Sequence, residues 1–213
     1  LPTTPDDPAR GILDGIAALL DETGQPADTI ELFVHGTTLA TNAVLQRRHA
    51  KTGMLTTTGF RDTLEIGRER KYELYDLAIT KPSPLVPRPL RHEVSERIGA
   101  DGSVHLPLDH EGLLASAQTL VDDGVEAVAI VFLHAYANAA HEREALELLG
   151  GAFPDLSVSI SSDVAPEVRE FERASTTVTN AYVKPLAERY LDQLAARAAE
   201  LGISAPLHLM LSA

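Results

Sequence analysis

Residues 127–133 read AVAIVFL, seven positions without a polar side chain. A strand with one face in water alternates apolar and polar residues, because successive side chains point to opposite faces. A run without alternation is buried on both faces. Burial on both faces requires helices above and below, as in the parallel sheet of an α/β protein.

The surrounding sequence supplies those helices. A helix is predicted over residues 109–123, and NAAHEREALELLG predicts another over 138–150. LSVSIS then predicts a further strand. Upstream, DDPARGILDGIAALLDETG reads as a helix with Asp7 as N-cap, Pro8 at its first position and Gly24 at its end. Its inner face is Ile12, Leu13, Ile16, Leu19 and Leu20. IELFVH, LATNAVLQRR, KTGMLTTTG and FRDTLEIGR continue as strand, helix, strand and short helix. The alternation β-α-β-α again points to a parallel sheet.

The middle is different. Residues 81–89 are proline-rich and must be extended or looped. HEVSERIGADGSVHLPLD reads as a hairpin turning at Asp101-Gly102. The last helical region spans residues 166–202, and Pro185 is expected to break or kink it near Lys184. Beyond it, Tyr182, Leu186, Tyr190, Leu194, Ala198 and Leu201 keep a helical stripe, and LHLML reads as a final strand.

Bulk composition excludes several functions. The net charge of −13 over 213 residues argues against a nucleic-acid or anionic-membrane partner. With no cysteine, disulfides and thiolate zinc sites are ruled out, and the cytosol is the default compartment. No apolar run reaches the length of a membrane span, and no signal peptide is visible. The chain opens without Met and closes on the apolar LMLSA, so it reads as a segment of a longer polypeptide.

Three polar stretches are candidate sites. In FVHGTTLATNAVLQRR a strand ends in His35-Gly36-Thr37-Thr38, and a helix carrying Asn42 starts at once. In open α/β sheets ligands bind beyond the carboxyl ends of strands, where a helix N-terminus offers free N–H groups to an anion. The other reading is a strand-to-helix turn capped by threonine. In GFRDTLEIGRERKYELYD, Arg61, Arg68, Arg70 and Lys71 cluster near Asp62. They are either a site for carboxylate or phosphate or a solvated face of helical ion pairs. EFERASTTVTNAYVKP holds Glu170, Glu172, Arg173, Ser175, Thr176, Thr177 and Asn180, a polar set that also reads as capping and surface pairing. His134 and His141 lack a third ligand at metal-binding spacing, so no metal site is assigned. P-loop, dinucleotide and nucleophile-elbow motifs are absent.

Taken in order, HGTTLATNAVLQRR, KTGMLTTTGFRDTLEIGR, YDL, LVPR, EVSERI, VFLHAYANAAHE and VREFERASTTVTNAYVKP resemble the large subunit of the hydantoinase A/5-oxoprolinase family. The family includes 5-oxoprolinases, N-methylhydantoinase subunits, caprolactamase-like enzymes and the acetone carboxylase β subunit. The resemblance implies an α/β fold: an actin/Hsp70/sugar-kinase-like lobe with a parallel or mixed sheet, flanking helices and an inserted α/β subdomain, incomplete here. It divides the chain into a first lobe portion over residues 1–80, a subdomain over 81–165 and the start of the core region over 166–213. The family's Asp-x-Gly-Gly-Thr phosphate loop and its Ser-Asn-Gly-Gly-like turn are not in this sequence, so the chain alone is expected not to hydrolyse ATP.

The implied reaction is ATP-dependent opening of a cyclic amide, with ATP and Mg2+ as cofactors. By resemblance, His35, Gly36, Thr37, Thr38 and Asn42 line the cleft near substrate and γ-phosphate, and Arg68 and Arg70 hold a substrate carboxylate or phosphoryl oxygens. Arg61, Asp62, Glu170 and Arg173 stand behind them, and no residue is assigned the catalytic role. The implied partners are a small cyclic amide and a hydantoinase B-like subunit or domain, giving a hetero-oligomer. Two alternatives stay open: an acetone carboxylase-like carboxylase subunit, and a non-catalytic module binding a ligand or partner.

Overall fold

A computed structural model describes residues 4, 7–47, 50–68, 75, 78 and 81–210. Arg70 and Lys71 lie outside the described residues. In chain order the helices and strands are α1 (Pro8–Thr23), β1 (Phe33–His35), α2 (Leu39–Gln46), β2 (Thr52–Thr57), the single turn α3 (Thr63–Ile66), β3 (Arg91–Val94), β4 (Arg97–Ile98), β5 (Val104–Leu106), α4 (His110–Asp122), β6 (Ala127–Val131), α5 (Ala140–Ala152), β7 (Ser157–Ile160), the single turn α6 (Ser161–Val164), α7 (Glu170–Glu200) and β8 (Leu207–Leu209). They form an α/β protein with parallel sheets, in two compact units: residues 1–45 with 186–213, and residues 46–185.

In the first unit, α1 has the predicted ends. The Asp7 side chain accepts from the Arg10 amide at 3.2 Å, and Gly24 closes the helix at φ 64°. Leu13 is buried, with Ile12 and Ile16 partly buried, against Phe33, Leu194, Ala198 and Ile203. Leu19, expected on the inner face, is 59% exposed. Six residues past Leu13, it sits about 120° around the helix from it. β1 pairs in parallel with β8, Phe33 opposite Leu207 and His35 opposite Leu209.

The second unit is built on an all-parallel sheet of order β3-β2-β6-β7. Every residue of β6 is buried, as its unbroken apolar run requires. β2 is also buried throughout despite its threonines. Thr56 meets the cost by donating its hydroxyl to Val131 O at 2.9 Å. Gly53 of β2 lets α4 come close, since a Cβ there would stand 2.9 Å from Leu120 Cδ1. α4 starts as predicted, with Asp109 accepting from the Gly112 amide.

Two expectations are corrected. The hairpin is shorter than predicted: β4 and β5 pair antiparallel around Asp101-Gly102, with Gly102 at φ 82°. Residues 92–94 belong instead to β3, parallel to β2, with Met54 opposite Arg91. This strand carries no apolar run. It is held by Arg91, fully buried, which donates to Val86 O from Nε at 2.9 Å and from Nη2 at 2.6 Å and pairs with Glu65.

The second correction concerns the break expected at Pro185: α7 runs through it as one helix of 31 residues. Proline removes one backbone hydrogen bond, but Ala181 and Tyr182 are buried on one side of it and Tyr190 and Leu194 on the other. Burial along the helix outweighs the local defect. Residues up to Pro185 belong to the second unit and those from Leu186 to the first.

Candidate functional site

The first unit contains the His-Gly-Thr-Thr turn. β1 delivers His35 at its carboxyl end and α2 begins at Leu39. Thr37 Oγ1 accepts from the Leu39 amide at 3.2 Å, so this hydroxyl oxygen caps the helix. One turn on, Asn42 Nδ2 donates to Thr38 Oγ1 at 3.2 Å. His35 Nε2 lies 2.7 Å from the Tyr190 hydroxyl, and burial pushes the imidazole below its ordinary pKa. The same burial raises the Tyr190 phenol, against a hydrogen bond with Thr37. Among the described residues, a Cβ added at Gly36 meets only Met210 Cβ at 3.8 Å, an ordinary contact. His35, Gly36, Thr37, Thr38 and Asn42 thus form one turn whose threonines and asparagine are exposed. Tyr190, absent from the sequence-derived set, joins it from a position 155 residues away.

The second unit contains a cleft between the α3 turn and the start of α7, about 1070 Å³ with its open mouth included. Arg68 stands in its wall and pairs with Glu172, Nε to Oε1 at 2.7 Å. Arg169 Nη1 lies 3.8 Å from the same carboxylate oxygen. Asp62 also lines the cleft but is taken: Arg88 donates to it from Nε at 2.7 Å and from Nη2 at 3.1 Å, and holds its carboxyl below the ordinary range. Arg61 turns to Arg88 O at 3.0 Å. Of the four residues placed behind the main set, Asp62 and Glu170 line this cleft, and Glu170 and Arg173 line a separate small recess.

Arg173 is nearly fully buried, a placement its surface-pairing reading did not foresee. Its Nη1 donates to Glu167 O at 3.0 Å and its Nη2 to Phe132 O at 2.8 Å, while the guanidinium lies 5.6 Å from the Tyr136 ring. Burial lowers its pKa, opposed by the nearby Glu142 and Glu170 carboxylates. Its Nε has no hydrogen-bond partner among the described residues.

The carboxyl edge of the sheet is held by two buried carboxylates that sequence reasoning missed. Glu96 accepts from Thr57 Oγ1 and lies 2.7 Å from His141 Nδ1. His141 is thus buried and occupied in the network. Glu142 accepts from the Phe132 amide at 2.9 Å, Ser161 Oγ at 2.6 Å and the Ser162 amide at 2.7 Å. Burial nonetheless pushes its carboxyl up. Both acids sit in ordinary helical or loop contexts, so no local pattern marks them. Among the described residues no group of three or more His, Asp or Glu is placed to hold a metal ion. No described helix is long and apolar enough to cross a membrane.

The sequence description "hydantoinase/oxoprolinase N-terminal region" matches residues 1–153. The alpha subunit of caprolactamase from Pseudomonas jessenii is 38% identical over 211 residues, covering 96% of this chain and 30% of that one. The gamma subunit of acetophenone carboxylase from Aromatoleum aromaticum is 34% identical over 200 residues, 86% of this chain and 27% of that one. The crystal structure of ATP-dependent caprolactamase from Pseudomonas jessenii aligns with a TM-score of 0.88 at 36% identity, over 98% of this chain and 31% of the other. The chain spans less than a third of the length of these relatives. A family description that matches most of the chain, with relatives this similar along nearly all of it, places the protein in the hydantoinase/oxoprolinase family, within its N-terminal region.

Proposed function

We propose that the chain forms part of an ATP-dependent amidohydrolase that phosphorylates and opens a cyclic amide such as a hydantoin, 5-oxoproline or a lactam. One observation carries this reading: the likeness to ATP-dependent caprolactamase extends over nearly the whole chain. In this reading residues 1–80 are a portion of an actin/Hsp70/sugar-kinase-like lobe, the complete enzyme uses ATP with Mg2+, and a hydantoinase B-like subunit or domain completes a cytoplasmic hetero-oligomer.

ATP, when bound, supplies the phosphoryl group that turns a stable amide carbonyl into one that water can attack. The donor set at the His-Gly-Thr-Thr turn suits phosphoryl oxygens: exposed hydroxyls of Thr37 and Thr38, amides of the first turn of α2, and the space that the described residues leave beside Gly36. Neutral His35, kept so by burial, offers a hydrogen bond there without adding a fixed charge. The described residues supply no dedicated cation cage. In the second unit, Arg68 holds a substrate carboxylate or phosphoryl oxygens by exchanging its pairing with Glu172. Arg70 is assigned the same task by resemblance, outside the described residues.

The test is ADP release by the complete enzyme with its partner and Mg-ATP, comparing 5-oxoproline, hydantoin and caprolactam with a ketone plus bicarbonate. Stimulation by a cyclic amide is the expected result. Thr38→Ala and Arg68→Ala are each expected to lower turnover at least ~10-fold, and unchanged turnover in both would overturn this site map. A second reading, a carboxylase subunit, is favoured by the 34% identity to the acetophenone carboxylase gamma subunit. Stimulation by the ketone and bicarbonate alone would select it.

A further inference from the structure

Tyr190 belongs to α7, yet its hydroxyl lies 2.7 Å from His35 Nε2 at the end of β1. Its ring is buried in the core of the first unit with Phe33, Leu194 and Ala198, so packing fixes where the hydroxyl stands. A phenol buried this far usually spends its O–H on a partner. His35 is fixed from the backbone side. β1 pairs with β8, and His35 O accepts from the Met210 amide at 2.9 Å. The contact therefore joins two groups that are each held in place.

Such a contact has two possible directions. Nε2–H donates to the phenol oxygen, or the phenol O–H donates to a bare Nε2. Acidity decides between them. A phenol, with a pKa of about 10, is a far better donor than the N–H of neutral imidazole. An imidazole nitrogen, which takes up a proton near about pH 6.5, is a far better acceptor than a phenol oxygen. The phenol's other hydrogen-bond neighbour is Thr37, whose hydroxyl oxygen is likewise a weaker base than imidazole. The phenol proton goes to Nε2. Neutral imidazole carries one proton, and with Nε2 accepting, that proton sits on Nδ1.

We propose that Tyr190 is a positioning residue that holds His35 as the Nδ1–H tautomer, so that the neutral ring serves the His-Gly-Thr-Thr turn as a hydrogen-bond donor. This rests on the reading of that turn as a site for phosphoryl oxygens, which accept hydrogen bonds. The other tautomer would spend its one proton on Tyr190 and leave Nδ1 a lone pair, which repels such an oxygen. A residue of α7, 155 positions along the chain, thus sets what the imidazole can offer.

The first measurement uses the 213-residue chain labelled with 15N. Two-bond 15N–1H correlation at about pH 8, where imidazole is neutral, reads the two ring nitrogens, and the loss of signals in His35→Asn assigns them. Nδ1 is expected in the protonated range and Nε2 in the lone-pair range. Tyr190→Phe is expected to lose this preference, its two nitrogens averaging between tautomers. A parent protein with the proton on Nε2, or a folded Tyr190→Phe variant that keeps the parent's tautomer, overturns the proposal. Should Tyr190→Phe fail to fold by circular dichroism, the parent spectrum still decides.

The second measurement is a double-mutant cycle on the complete enzyme with its partner, Mg-ATP and a cyclic amide. Tyr190→Phe is expected to lower kcat at least about tenfold, as loss of tautomer control does elsewhere, with KM changed by less than about twofold. His35→Asn offers an amide N–H near the place of Nδ1 and has no tautomers. Adding Tyr190→Phe to it should change kcat by less than about twofold. An equal loss in both backgrounds shows that Tyr190 does not act through His35 and overturns the proposal. Should cyclic amides drive ADP release while His35 carries its proton on Nε2, the positioning role falls and the proposed function stands. Should the tautomer be Nδ1–H while no cyclic amide drives ADP release, the proposed function falls and the hold of Tyr190 on His35 stands.

Discussion

Replacing Gly53 with alanine tests whether β2 and α4 are packed as closely as the structure places them. The new Cβ would stand 2.9 Å from Leu120 Cδ1 and 3.1 Å from Cδ2. Carbon atoms at optimal packing are about 3.5–4.0 Å apart, so one side must give. Leu120 is fully buried and anchored in the core, which leaves its side chain little room to swing away. Overpacking of this kind costs about 1–3 kcal/mol, and the loss of chain entropy from the unfolded state returns about 0.4–1 kcal/mol. The net expectation is destabilisation by about 1–2 kcal/mol, a fall in Tm of about 2–8 °C. Leu120→Ala alone is expected to cost about 2–5 kcal/mol by opening a cavity. In the double variant the alanine methyl enters part of that cavity, so the two costs should fall short of their sum by about 1 kcal/mol or more. Urea titration followed by circular dichroism, with calorimetry for Tm, measures all four proteins. Additivity within about 0.5 kcal/mol, or a Gly53→Ala variant as stable as the parent, would refute the close approach.

Pro185→Ala restores an N–H inside α7 and is expected to stabilise the protein by about 1–3 kcal/mol in the same denaturation assay; a loss of stability would show that the helix depends on proline there. Burial lowers the His35 pKa, so the unfolded chain binds more protons below about pH 6.5 and stability should decline as pH drops through that point. A His35 midpoint at or above about 6.5 by NMR would contradict this. Glu142 has the opposite linkage: its raised folded pKa favours the neutral form, so stability should decline as pH rises from about 4.3 through that pKa. Glu142→Gln should flatten this slope, and parallel pH profiles for the variant and parent would count against it.

Much of the local structure was legible. Asp7, Pro8 and Gly24 bound α1 because capping is a matter of a few adjacent residues. Residues 127–133 announced a doubly covered strand, and Asp101-Gly102 announced a turn. The HGTT junction was located at the end of a strand and the start of a helix, where the structure has it. β3 was missed because its burial comes from Val94 and from an arginine satisfied by carbonyls, not from an apolar run. The uninterrupted α7 was missed because proline's local effect is fixed in sequence, whereas the burial that outweighs it is spread along the helix.

The candidate sites divide the same way. Sequence alone determined most of the strands and helices and where polar residues interrupt them, since side-chain periodicity and turn chemistry act over a few residues. Only the tertiary structure decided that Arg173 is buried, that Asp62 is taken by Arg88, and that Tyr190 reaches His35. Whether a charge is solvated, paired or stranded depends on groups brought in from positions as distant as the 155 residues between His35 and Tyr190. Desolvation and pairing are properties of that assembled neighbourhood, and no stretch of chain carries them by itself.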